Sequence, residues 1–456
     1  MENNIPVRNA AAGFSTLGAT PYRQVLPRVQ QGVVESLSRK VDELTERELK
    51  SIIAQYIRNN NIKCDLSADV DVLVEHIYHD MAGYSFISRE GLFERPGFEE
   101  LNINSWDAVE IVLYGRRAMT GYSFLSPQHA RDILARILRR TETPFDVATP
   151  RATADIGSGI RVAAQRSPVC DEDVAVHASI RKVNMSTVTR DSLVGAGLTD
   201  EMMTLLELCI DHGVSVCISG ETGAGKTTLA GALLTAASEH LRIYTIEEGS
   251  REWNFIRRDP DSGRVVNSVL HTRTRPNEKD PAQNITQEEL VKDSLRFDPD
   301  VISPGEIRGR EAFEVMGVSN TGHTVITTVH SNGTLDTPER IVTLAKKAYD
   351  LSGDDLYSMC ARAFPILVHM EKCADNRRRV TEIREVLGYE GGALRSRLLY
   401  EFEIWDNVYE DGVCTRVEGD FKRLSAISPQ LLRRLLKKGA RRGELAPYLE
   451  EGGRSA

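Results

Sequence analysis

Several things are scarce or missing in this sequence of 456 residues, and each absence narrows the reading. No apolar run approaches the roughly 18 to 20 residues that cross a bilayer, so no transmembrane helix is expected. The opening Met-Glu-Asn-Asn-Ile-Pro has no basic stretch followed by an apolar core, which argues against a secretory leader. The seven cysteines, at 64, 170, 209, 217, 360, 373 and 414, are odd in number and contain no CxxC pair. That spacing gives neither a zinc ribbon nor a disulfide framework, and it fits reduced thiols in the cytoplasm. A basic excess is also missing: 57 Lys and Arg against 66 Asp and Glu leave a net charge of -9, which argues against a general nucleic-acid coat. There is no internal repeat and no low-complexity tract. What remains, 41% hydrophobic and 27% charged residues, is ordinary globular composition at a length of two or three domains.

The first thirty residues lack periodicity and read as a mobile arm. Helical spacing begins near Val34, with Leu37, Val41 and Leu44 on one face. Thr45 and Glu48 then form a capping box, and Ser67 is placed to cap a third helix carrying Val70, Leu73, Val74 and Ile77. Residues 1–83 are therefore expected to be an arm with a helical extension. His76 and His79 stand at i, i+3, but without a further ligand nearby they are expected to be ordinary helix residues. From Tyr84 short alternating segments appear, and Ser126-Pro127 opens an amphipathic helix. Gly157-Ser-Gly159 reads as a hairpin turn, so residues 84–182 are expected to form an α+β domain. The polar stretch 183–200 reads as a linker and hinge into a last domain, 183–456, where helix and apolar strand alternate as in a parallel α/β sheet. A helix capped by Ser428-Pro429 closes it, and the cluster Arg433, Arg434, Lys437, Lys438, Arg441 and Arg442 reads as one solvated face.

The apolar segment Val214–Ser219 runs directly into Gly220, Glu221, Thr222, Gly223, Ala224, Gly225, Lys226, Thr227 and Thr228. This is the G-x-x-x-x-G-K-[ST] loop in a strand–loop–helix setting, where glycines let backbone N–H groups curl round phosphate. Lys226, read as an exposed loop charge, meets the β- and γ-phosphates of a nucleotide, and the Thr227 hydroxyl ligates Mg²⁺. ATP and Mg²⁺ are the expected cofactors. Three later strand ends carry reactive groups: Ile243–Glu248 ends in two acids, Asp300–Glu306 ends in Gly-Glu, and Thr321–Asn332 is bracketed by His323 and His330. Acids at the carboxyl edge of an open α/β sheet face the ligand.

Taken in this order, these motifs resemble the secretion ATPase superfamily, the motors of type II and type IV secretion and of type IV pili, over roughly residues 84–456. The nearest resemblance is to the tight-adherence (Tad) pilus-assembly ATPase. The resemblance implies a RecA-like P-loop ATPase domain, ATP hydrolysis by a homohexamer, and inner-membrane platform partners at the cytoplasmic face, with no direct nucleic-acid contact. It assigns Glu247 to the attacking water with Glu248 in support, Glu306 to Mg²⁺, and His323 and His330 to sensing the γ-phosphate. It also nominates Arg161, Arg181, Arg273 and Arg275 as charges reaching the nucleotide between subunits. Ser303-Pro304 departs from the apolar strand usual there, and proline is tolerated only at a strand exit. A DNA-transfer ATPase of the same superfamily and a nucleotide-gated scaffold with little turnover are the alternative functions.

Overall fold

The computed structural model describes residues 19–37, 44–141, 143–156, 159–182, 190–195, 197–248, 251–275, 283–349 and 351–450. The chain separates into two compact units, Met1–Asn184 and Met185–Ala456. Residues 183–189 and 196 of the expected linker 183–200, and the first two residues of the Gly157–Gly159 turn, lie outside the described residues.

The first unit begins with three helices, Tyr22–Ser36, Glu46–Asn59 and Val70–Met81. Val25, Val29, Val33, Leu49, Ile53, Ile57, Leu73 and Ile77 meet in their shared core. The first helix starts well before Val34, inside the stretch read as a mobile arm. Tyr22, Val25, Leu26, Val29 and Val33 do carry helical spacing, but Pro21 and Pro27 obscure it; Pro21 sits at the N-cap and Pro27 lies inside the helix. The Thr45–Glu48 capping box forms. The third helix is capped by Asp69, whose carboxylate accepts from Asp71 N–H, while the Ser67 hydroxyl accepts from Asp69 N–H one step earlier.

Six strands follow: β1 Phe98–Ser105, β2 Ala108–Leu113, β3 Arg116–Met119, β4 Arg151–Ile156, β5 Ile160–Arg166 and β6 Val176–Lys182. They form one antiparallel sheet in the order β3-β2-β1-β6-β5-β4. The helix Pro127–Arg139, capped by Ser126, lays Ile133, Leu134, Ile137 and Leu138 on its apolar face. Arg136 on the same helix donates to the carbonyls of Asp80 and Gly83, tying the end of the third helix to the α+β part.

The second unit contains β7 Val216–Gly220, β8 Ile243–Glu247, β9 Val269–Arg273, β10 Val301–Pro304, β11 Thr324–Val329, β12 Ile366–Lys372, β13 Arg378–Glu390, β14 Ala393–Glu410 and β15 Val413–Arg423. The nine strands run β15-β14-β13-β12-β7-β11-β10-β8-β9, with β12 through β9 parallel and β13 to β15 added antiparallel. Every residue of β7, β8, β10 and β11 is buried, as expected for parallel strands covered on both faces. Side chains alternate between two cores. Val216 and Ile218 face the helices Asp200–Asp211, Lys226–Ala237 and Pro429–Lys437, and Cys217 faces the opposite layer. Pro304 ends β10: the ladder toward β8 goes on through Gly305 N–H, which donates to Ile246 C=O at 2.8 Å, and on the β11 side, where Pro304 has no N–H to give, the Ser303 hydroxyl donates to Ile326 C=O at 2.9 Å.

Ser428 has two tasks in this unit. Its hydroxyl accepts from Leu431 N–H as the helix cap, and both its N–H and its O–H are donated to the buried carboxylate of Glu385 on β13. Ser428→Ala should therefore cost about 2–4 kcal/mol, a lost cap plus an under-satisfied buried carboxylate. Thr45→Ala, at an exposed cap in the other unit, should cost about 1 kcal/mol. Urea unfolding of the two variants checks this ordering, and equal costs would refute the double role.

Candidate nucleotide site

The site lies where the parallel strands end. β7 leads into the glycine loop, and the helix Lys226–Ala237 follows it. Gly220, Gly223 and Gly225 have φ of 149°, 78° and 97°, and a Cβ on Gly220 would lie 2.2 Å from Met370 C=O. Only glycine lets the loop pass this close to β12.

Lys226 differs from the expectation of an exposed loop charge: it is 6% exposed. Its ammonium donates to Gly220 C=O at 2.9 Å and to Glu221 C=O at 2.8 Å, and lies 3.3 Å from His330 Nδ1. A lysine has only donors, so Nδ1 faces it as an acceptor and the ring proton belongs on Nε2. That Nε2 lies 3.2 Å from Glu306 Oε1. Burial, then the Lys226 charge, hold the His330 pKa below its ordinary value. Glu306 Oε2 pairs with Arg308 Nη2 at 2.8 Å, and Arg308 Nη1 reaches Glu248 Oε2 at 2.6 Å. Lys226, His330, Glu306, Arg308 and Glu248 thus follow one another at close range across the ends of four strands.

The two adjacent acids of β8 have opposite surroundings. Glu247 is buried, its Oε1 accepting from the backbone N–H groups of Glu252 and Trp253, and burial pushes its carboxyl up to about 7. Glu248 is exposed and held by Arg308. Glu247 Oε2 and Glu306 Oε1 are buried without a hydrogen-bond partner, His330 Nε2 lying close to Glu306 Oε1 without bonding it. An open cavity of about 790 Å³ runs beside the loop, bounded by Gly220–Thr222 on one side and by His330–Asn332, Asp336, Glu339, Arg340 and Thr343 on the other. A glycine cradle that a Cβ would fill, a lysine inside it and two buried carboxylate oxygens open to a donor or cation fit a magnesium nucleotide.

Not every predicted residue joins this group. His323 precedes β11 whereas His330 follows it, so the two sit at opposite edges of the sheet, roughly 20 Å apart at strand rise. Its Nδ1 is 3.4 Å from Thr321 Oγ1. Arg273 ends β9 directly opposite Glu247 in the ladder, and the backbone of Arg275 pairs with Ile285 just beyond. Arg161 and Arg181 face each other across β5 and β6 in the first unit.

Three residues of the site escaped the sequence reading. Arg308 was visible only as one of two arginines in Ile307-Arg-Gly-Arg310. Arg378 donates from Nε to Gly223 C=O at 2.9 Å, while its neighbour Arg379 turns to the other face and pairs with Asp375. Strand alternation in the run Arg377–Arg379 could have separated them. Trp253 packs against Gly231 and donates to Thr227 C=O at 3.2 Å, and no sequence signal marked it.

Residues 154–397 match the profile of a family described as Type II/IV secretion system protein. An uncharacterized protein of Methanocaldococcus jannaschii is 27% identical over 284 residues, 59% of this chain and 37% of that protein. The conjugal transfer protein TrbB of Rhizobium radiobacter is 29% identical over 206 residues, 44% of this chain and 56% of TrbB. The chain thus spans about half or less of the length of these curated relatives. The solved ATPase DotB of Legionella pneumophila is 19% identical with a TM-score of 0.46, covering 64% of this chain and 77% of DotB. The profile match takes in more than half of the chain, from the glycine loop through both acidic strand ends to His330, and on that ground the protein belongs to the Type II/IV secretion system protein family.

Proposed function

We propose that this protein is an ATP-hydrolysing motor. It would assemble as a homohexamer at the cytoplasmic face of a membrane and power pilus assembly or protein secretion through inner-membrane platform proteins. Within its family we place it nearest the tight-adherence (Tad) pilus-assembly ATPases. The observation that carries this reading is the chain from Lys226 through His330 to Glu306, which couples the phosphate loop to a carboxylate two strands away. Among the described residues no helix is long and apolar enough to cross a membrane, which is compatible with a peripheral position.

Bound ATP supplies the phosphoanhydride bond, and Mg²⁺ supplies charge neutralisation across its phosphates. Lys226 would exchange its loop carbonyls for phosphate oxygens, and the Thr227 hydroxyl and Glu306 would hold the cation. Glu247 orients the attacking water and takes its proton. A carboxyl near 7 suits that task, because it is partly ionised at neutral pH and still basic enough to accept. His330, with Nδ1 facing Lys226 and Nε2 3.2 Å from Glu306 Oε1, reports a change at Lys226 to the acidic strand ends. Arg273 and Arg275, beside Glu247 in the ladder, together with Arg161 and Arg181, supply charge between subunits. His323, at the far edge of the sheet, takes no part in this scheme within one chain.

The similarity to TrbB favours a second reading, a motor of conjugative DNA transfer. Deleting the gene and scoring pilus display against plasmid transfer separates the two. Light scattering with a non-hydrolysed ATP analogue should give six chains per particle, and a strictly monomeric mass at high concentration refutes the ring.

Lys226→Ala should abolish phosphate release. Because the side chain is buried on two carbonyls and faces His330, thermal unfolding must accompany the assay, and a variant that is folded and still active refutes the loop assignment. Glu247→Gln should slow turnover at least roughly a hundredfold while nucleotide still binds. The sign of the pH effect follows from the raised carboxyl. In the folded chain Glu247 keeps its proton from about 4.5 up to about 7, where the unfolded chain has lost it. Its contribution to stability therefore falls as pH rises through that window, while hydrolysis rises toward and above 7. Glu247→Gln should flatten the stability slope and remove the activity rise together, and retention of either dependence assigns it to another group.

A further inference from the structure

We propose that Arg308 is a positioning residue that locks the two acidic strand ends together and holds Glu306 against His330. The inference rests on the nucleotide-hydrolysing reading of the site. β8 and β10 are parallel neighbours, so Glu248, just past β8, and Glu306, just past β10, come side by side. The Arg308 guanidinium forks between them, Nη1 on Glu248 at 2.6 Å and Nη2 on Glu306 at 2.8 Å. The turn carrying Arg308 is itself fixed: the N–H groups of Arg308 and Gly309 both donate to Glu311 Oε1 at 2.6 Å, and Glu311 is buried. A Cβ on Gly309 would lie 2.9 Å from Glu311 Oε2, so a larger residue there would push that carboxylate aside.

Stability alone does not account for this arrangement. The side chains of Arg308 and Glu248 are 57% and 58% exposed, and pairs of that kind contribute little to folding. The fork acts on geometry. With Glu306 Oε2 engaged, the carboxylate has one orientation left, which presents the buried Oε1 to His330 and, through it, to Lys226. Arg308 also offsets one of the two negative charges that would otherwise face an incoming polyphosphate from the same side. A lysine carries equal charge but cannot bond two carboxylates in one rigid plane. Removing Arg308 should therefore leave the glycine loop intact and impair the part of the site that depends on where Glu306 points.

The test uses the full chain with Arg308→Ala, Arg308→Lys, Glu248→Gln and the double variant Arg308→Ala/Glu248→Gln. Steady-state hydrolysis is measured alongside binding of a fluorescent, non-hydrolysed ATP analogue in Mg²⁺ and in EDTA. Arg308→Ala should lower kcat by roughly 10- to 100-fold with KM changed less than about threefold, the signature of an interaction used after binding. The gain in analogue affinity from Mg²⁺ should shrink several-fold, while affinity in EDTA stays put. Arg308→Lys should recover only a minor part of both losses. The double variant should be no slower than the slower single one, because both remove the same fork. Full activity of Arg308→Lys, or multiplying losses in the double variant, would overturn the proposal, as would an unchanged magnesium gain in Arg308→Ala. If Arg308→Ala does not fold, Arg308→Gln takes its place in every comparison. Should the wild type bind nucleotide without hydrolysing it, the motor reading fails, and the magnesium gain still decides the role of Arg308.

Discussion

A lysine ammonium that is 6% exposed has to be solvated by the protein, and much of the second unit follows from that requirement. Two of its donors go to loop carbonyls, which brings Gly220 and Glu221 round to face inward. The loop can turn that way only if Gly220 passes within a Cβ-excluding distance of Met370 C=O, so β12 and β7 must lie side by side in this register. His330 covers the remaining side, and it can do so only because β11 is the other neighbour of β7 and ends level with it. Strand order and lysine burial are two aspects of one constraint.

The antiparallel extension of the sheet contributes to the same end. β13 returns beside β12 and places Arg378 against the loop, donating to Gly223 C=O. Its neighbour Arg379 faces the opposite way, pairing with Asp375 and lying over the Phe402 ring. Consecutive arginines thus fulfil different tasks because a strand alternates its faces. Further along β13, buried Glu385 is satisfied by Ser428, which anchors the closing helix to the layer that carries the glycine-loop helix. The C-terminal segment is part of the core around the site.

Much of this was legible in sequence, for identifiable reasons. The fully buried strands β7, β8, β10 and β11 stand out as short apolar runs, and the glycine loop carries its own spacing rule. Thr45, Ser126 and Ser428 cap helices where the pattern places them. Less legible was anything decided by partners distant in the chain. Lys226 looks exposed in a glycine-rich loop and becomes buried because β11 delivers His330 from 104 residues away. His323 and His330 look like one motif, and a strand of six residues between them sends them to opposite edges. The helix Tyr22–Ser36 was hidden by two prolines although its apolar spacing is regular. In each case the local pattern is intact, and the tertiary neighbour decides its meaning.

The adjacent acids Glu247 and Glu248 show why such a site needs both burial and pairing. A carboxylate in apolar surroundings is driven toward its neutral form, and Glu247, at the end of a buried strand, is held near 7, two backbone donors and the Arg251 charge offsetting that pressure only in part. One residue later the chain leaves the sheet, and Glu248 is solvated and paired with a guanidinium. The two side chains therefore have opposite surroundings although they are chemically identical and neighbours in sequence. Were both buried, mutual repulsion would force one to stay protonated; were both exposed, neither would be basic enough to take a proton at neutral pH. Ending β8 between them leaves one acid buried with its carboxyl near 7 and the other exposed and tied to Arg308. A single strand boundary is enough to separate their surroundings.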